Sequence, residues 1–384
     1  MGTFVPRLGR IFNTVVPPMK LNDSLKLYED KFMMADPVGY NDAVIRYFQE
    51  KYAKSIHLIF VGLQKKRGSA SSLMLETALS SVPNTKLERH LLPIFAAASS
   101  TGGVHKHHLL FGRAFIKAVS LPLLRIDERL DFVSQKLKSA IQMSFKNKDT
   151  LVDLYLFNDG IADMCELPKA SDIIGLVTSN YARLYTSLYC EMKLRYEEKS
   201  LSRPQKILQW ILESQFSPLT CLYFSTTVQA SFIINSKPVD QNVKQLSACF
   251  GRLRQLCDQI SDVQEDIIMG NATVPVLYAL AEGDQHLGQM IKALWRDIRE
   301  TESNTDKLLI SQKAAEIKEL TQELGGLRQA YELADTWYQK AIGLTSECSQ
   351  TLGVNTELAL LIRLKRAYLE RLRLNNWSDI PGYY

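Results

Sequence analysis

Apolar residues recur every three or four positions along most of this chain, a spacing that admits helices and little else. Leu109, Phe111, Phe115, Ile116, Val119, Leu123 and Leu124 make one such stripe. Lys307 to Ser349 and Thr356 to Leu374 are rich in Ala, Leu, Glu, Lys and Gln and nearly free of breakers. Alternating Val/Ile/Thr runs bounded by hairpin turns are missing. Ser55 to Leu63 alone fits a short strand, and it fits a buried helix as well.

Breakers divide the pattern. Pro17-Pro18, Ser99 to Gly103, Asn158-Asp159-Gly160, Ser200 to Pro204, Asn235 to Val239, Gly270-Asn271 and Glu282-Gly283-Asp284 each read as a turn or loop. The expectation is an all-α protein of ten or more helices in one bundle-like domain, residues 36–384, with residues 1–35 as an N-terminal extension.

A length of 384 residues supports a large core. The net charge of +5 is small, and Lys and Arg are interleaved with Asp and Glu, so no nucleic-acid partner is expected. A mild basic excess suits a small phosphate-bearing substrate. Six cysteines without a C-x-x-C pair read as reduced thiols of a cytoplasmic protein. No apolar run is long enough for a transmembrane segment, and Met1 to Val16 lacks the continuous apolar stretch of a secretory signal.

Two acidic motifs carry the chemistry. The first, Arg125-Ile126-Asp127-Glu128-Arg129-Leu130-Asp131, closes the apolar run Ala118 to Leu124. On a helix, Asp127 and Asp131 share a face and repel, and a divalent cation turns that repulsion into attraction. The second is Gln255-Leu256-Cys257-Asp258-Gln259-Ile260-Ser261-Asp262, with Glu265 and Asp266 one turn on. Asp258 and Asp262 repeat the spacing, and Leu256, Ile260, Val263 and Ile267 are set to face a core. Either motif alone is better explained by a solvated acidic face. Two of them, each beside a strongly apolar helix, argue for a metal.

With the string Gly270-Asn271-Ala272-Thr273-Val274-Pro275-Val276-Leu277, these motifs resemble those of the class I isoprenoid synthases, nearest to the trans-polyprenyl diphosphate synthase branch. The first matches D-D-x-x-D with Glu128 at the second position; the second matches Q-x-x-D-D-x-x-D with Gln259 for Asp. The match is firmest over 250–280 and moderate over 108–132. The resemblance implies an α-helical bundle around a deep apolar cavity. It implies three Mg²⁺ ions (or Mn²⁺) held by Asp127, Glu128 and Asp131 on one side and by Asp258 and Asp262 on the other. Asp127, Asp131 and Asp258 would be catalytic, and Arg113, Arg129, Lys193 and Gln255 would contact a prenyl diphosphate. It also implies a homodimer.

Chain-elongating members bind isopentenyl diphosphate through a G-K-R-x-R-P segment, an Arg pair after the first motif and a Lys-Thr pair. Here Asp131 is followed by Phe132-Val133-Ser134, and the Lys-Thr region reads Phe216-Ser217-Pro218-Leu219-Thr220. A diphosphate needs several cationic donors. Their loss points to a terpene synthase that ionises one allylic diphosphate, ahead of a prenyltransferase, with a non-catalytic regulatory subunit third. Asn158 to Glu166 imitates the bacterial cyclase motif N-D-x-x-S-x-x-x-E, with Ala162 at the Ser position, and reads as a loop. His105, His107 and His108 have no cysteine nearby and read as a loop or helix start, not a zinc site.

Overall fold

The computed structural model describes residues 27–64, 69–82, 84–125, 147–195, 197–212, 218–283, 285–300, 307–347 and 356–377. The first half holds α1 (Asp30–Ala35), α2 (Pro37–Gln64), α3 (Ser69–Ser80), α4 (Asn84–Thr101) and α5 (Lys106–Phe115). It continues with α6 (Asn147–Met164), α7 (Ala170–Leu194), α8 (Glu198–Leu201) and α9 (Pro204–Trp210). Next come α10 (Pro218–Ile234), α11 (Gln241–Ser261), α12 (Val263–Ile268) and α13 (Val274–Ala281). The chain closes with α14 (Gln285–Glu300), α15 (Lys307–Glu323), α16 (Gly326–Glu347) and α17 (Glu357–Trp377). No strand occurs among the described residues, and Ser55 to Leu63 is helical.

Helix α11 is the centre of the bundle, packed against α10, α16 and α17. Its pattern explains the placement. Val243, Leu246, Phe250, Leu253, Leu256, Cys257 and Ile260 are buried and cover more than one face, as a helix enclosed on several sides requires. Asp240 starts it, its carboxylate accepting from the Val243 N–H at 2.9 Å.

Residues before 36 take part in the packing of the bundle. Leu27 and Met33 are buried in the core. The Tyr40 hydroxyl donates to the Leu27 carbonyl, and Arg363 of α17 pairs with Asp30 at 2.9 Å. Residues 27–35 therefore pack on the bundle. Local sequence hides the Asp30 contact because its partner Arg363 is hundreds of residues away.

Asn158 to Met164 is helix, not turn or loop: α6 runs unbroken through the segment. Gly160 gives the physical reason. A Cβ there would lie 2.6 Å from the Ala114 carbonyl oxygen and 2.7 Å from the Ala118 nitrogen. The glycine serves close helix approach, with α6 pressed onto α5 and onto the π-helical stretch Ile116–Ser120 that continues it.

Candidate functional site

The second acidic motif occupies the C-terminal end of α11. Asp258 and Asp262 are four apart, joined by a backbone bond from the Asp262 N–H to the Asp258 carbonyl at 2.9 Å. The helix ends at Ser261. Asp262 (φ −106°, ψ 21°) ends α11 and begins α12. Glu265 and Asp266 thus sit on a second short helix beyond a kink, not on a straight continuation of the same face. Leu256, Ile260, Val263 and Ile267 are all buried as their spacing requires.

The acidic side chains stand at the edge of that core. Asp258 is ion-paired with Arg254 one turn earlier, and its side chain is 35% exposed. The Ser261 hydroxyl donates to the exposed Asp262 carboxylate. Gln255 is half-buried on α11. Gln259 is used differently: its side-chain oxygen accepts from the Val274 N–H at 3.1 Å, tying α11 to the start of α13. Gly270 (φ +83°) closes α12, and the Asn271 N–H reaches the Asp266 carbonyl at 2.8 Å. Two solvent-accessible carboxylates one helical turn apart are oxygen donors of the kind Mg²⁺ takes, one or two carboxylates with the remaining positions left to phosphate and water. Among the described residues no group of three or more His, Cys, Asp or Glu side chains converges as a metal cage.

Asp127, Glu128, Arg129 and Asp131 lie outside the described residues. So does the side chain of Lys193, at the C-terminal end of α7. Arg113, on α5, directs its Nε to Asp163 of α6 at 3.1 Å. Lys117 joins the same group, 2.6 Å from Asp159 and 2.7 Å from Asp163. Sequence reasoning passed over this cluster. Its signal was a lone Lys within the apolar run Ala114 to Leu124 and a third i, i+4 Asp pair at 159 and 163.

The three histidines begin α5 as expected. The His105 N–H donates to Nδ1 of His108 at 3.1 Å, and His108 is buried. Burial first, with the neighbouring His105 and His107 adding to it, lowers its pKa to about 4. Phe111, Phe115, Tyr223, Phe224 and Phe250 pack ring against ring in the interior.

No protein-family model and no curated protein sequence matches the chain. Solved structures do. A decaprenyl diphosphate synthase from Rhodobacter capsulatus superposes with a TM-score of 0.65 at 17% identity, over 85% of this chain and 99% of that one. The fold is that of the class I isoprenoid synthases. A geranylgeranyl pyrophosphate synthetase from Pyrococcus horikoshii gives 0.64 at 16% identity, covering 86% of this chain and 99% of the other. A polyprenyl synthase from Caulobacter crescentus, complexed with calcium and isoprenyl diphosphate, gives 0.61 at 18%, over 86% and 98%. The isoprenoid synthase fold thus accounts for most of this chain, and no described helix is long and apolar enough to cross a membrane.

Proposed function

We propose that the chain is a prenyltransferase that ionises an allylic prenyl diphosphate and joins it to isopentenyl diphosphate or another acceptor. One observation carries the reading: Asp258, partly exposed, and Asp262, exposed, stand one turn apart at the end of the central helix of an isoprenoid synthase fold. The solved proteins of similar structure are prenyl diphosphate synthases, which moves the transferase ahead of the cyclase that the sequence alone ranks first.

Asp258 and Asp262 would hold Mg²⁺, with Asp127, Glu128 and Asp131 as the opposing ligands. Bound Mg²⁺ supplies a Lewis acid for the charge that develops on departing diphosphate. Arg254 orients the Asp258 carboxylate. Gln255, Arg129, Arg113 and Lys193 are the candidates for contact with the diphosphate oxygens. The apolar interior that α10 and α11 help to form keeps water from the allylic cation. The same reading carries a homodimer, which light scattering of the purified chain tests.

Cyclisation is the second reading, and a specific feature favours it. Helix α10 opens with Pro218-Leu219-Thr220, so an apolar residue stands where elongating synthases carry Lys. Incubation with prenyl diphosphates of graded length and Mg²⁺, with and without isopentenyl diphosphate, separates the two. Longer linear diphosphates formed only with the acceptor support the transferase. Hydrocarbons released from the allylic substrate alone reject it for the cyclase. No turnover in either condition rejects both and leaves a helical subunit without catalysis of its own.

A further inference from the structure

The cluster between α5 and α6 holds three charges, Lys117, Asp159 and Asp163, that the proposed reaction does not use. Asp159 and Asp163 lie four apart on α6, the same spacing as Asp258 and Asp262 on α11. Their surroundings differ. Asp163 is 1% exposed and Asp159 18%. Buried carboxylates need a counter-charge. The chain supplies one from within. Lys117, only 3% exposed, projects from the π-helical stretch, and its Nζ lies 2.6 Å from Oδ2 of Asp159 and 2.7 Å from Oδ2 of Asp163. Arg113 adds a second cation on Asp163, 3.1 Å away.

Two features make the arrangement specific. The ammonium sits at the point where both carboxylates converge, bound to each at the short distance of a charge-assisted hydrogen bond. The charges of Lys117, Arg113, Asp159 and Asp163 also sum to zero, so a divalent ion cannot join them without expelling a buried ammonium. The backbone is built to hold this position. Gly160, between the two acids, lets α6 approach the turn that carries Lys117 to within van der Waals contact. The π-helical turn buries all five of its residues, Lys117 among them.

We propose that Lys117 is a built-in cation occupying the Asp159–Asp163 pair in place of a divalent ion, so that α6 carries no metal. Any divalent ions this protein binds are held elsewhere. The proposal stands whether the reaction is transfer, cyclisation or neither, because its readout is ion number and not turnover.

The test counts Mn²⁺ by electron paramagnetic resonance and equilibrium dialysis on the full chain, each variant read as a difference from wild type. Asp159→Asn should leave the number of bound ions unchanged. Loss of one ion in that variant overturns the proposal. Lys117→Ala removes the ammonium and leaves room between two carboxylates. It should gain one Mn²⁺ and rise in Tm when Mn²⁺ is added, and the gain should vanish in Lys117→Ala/Asp159→Asn. A folded Lys117→Ala protein that gains no ion overturns the claim that the ammonium stands in for a metal. If Lys117→Ala does not fold with or without Mn²⁺, the Asp159→Asn count decides alone.

Discussion

The side-chain oxygen of Gln259 accepts a hydrogen bond from the backbone N–H of Val274, 3.1 Å away. That N–H is the first of α13, where the helix has no internal acceptor for it, and the next residue, Pro275, has none to satisfy. A residue standing where a metal-binding Asp is expected is thus employed as a helix cap. The motif and the Gly270 to Leu280 string are coupled by this bond.

Removing the cap should be felt as stability. Gln259→Ala is expected to cost about 1 kcal/mol, in the range for lost N-terminal caps. Gln259→Asp restores the acidic motif but is one methylene shorter, and it should not recover the loss. Urea denaturation checks both, read as a lower midpoint at unchanged slope.

The close approach at Gly160 makes a second prediction. An added Cβ meets backbone, the Ala114 carbonyl and the Ala118 nitrogen, and backbone cannot rotate away. Gly160→Ala should destabilise by about 1–3 kcal/mol through overpacking, although alanine is the better helix former. A variant as stable as wild type in urea would show that α6 and α5 are not in this contact.

Activity should depend on Asp258 far more than stability does. Its carboxylate is partly exposed, and the pair with Arg254 is worth less than about 1 kcal/mol. Asp258→Ala is expected to lower turnover roughly 10²–10³-fold, the scale of a lost transition-state stabiliser, with circular dichroism and Tm close to wild type. Chelation of divalent ions should abolish turnover, and added Mg²⁺ should restore it. Full activity in Asp258→Ala would remove it from the mechanism.

Acid should weaken the fold through His108. Burial lowers its pKa to about 4 in the folded chain, against about 6.5 when unfolded. The neutral ring is the folded form, with Nδ1 accepting from His105. The unfolded chain binds the extra proton between these values, so this stabilisation is complete above pH 6.5 and is lost as pH falls towards 4. The span is at most about 3 kcal/mol. His108→Asn keeps an acceptor near the Nδ1 position and should flatten that part of the stability–pH curve, measured by urea midpoints between pH 4 and 7.

Particular residues show where sequence reading succeeded. The breaks at Gly102-Gly103, Asn235 to Val239, Gly270 and Gly283 fall between helices as expected, and three of those four sites include glycines with φ above +80°. These signals are local, because the conformation belongs to the residue itself. Gly160 was misread for the complementary reason. Asn-Asp-Gly is turn chemistry in isolation, and only the neighbouring helix gives the glycine another use. Arg113 was singled out as a substrate contact from its charge, while its carboxylate partner, fifty positions away, was out of reach of any local pattern.

What the sequence determined by itself is whatever repeats or terminates within a few residues: helices, their ends, the apolar side of α11 and the acidic pair Asp258–Asp262 upon it. Tertiary structure decided which charges are neutralised and by whom. Lys117 with Asp159 and Asp163, Arg363 with Asp30, and Gln259 with Val274 are brought together by helix packing. Hydrogen bonds and ion pairs act over about 3 Å in space. Periodicity along a chain says which face a residue occupies, but not which residue will stand opposite.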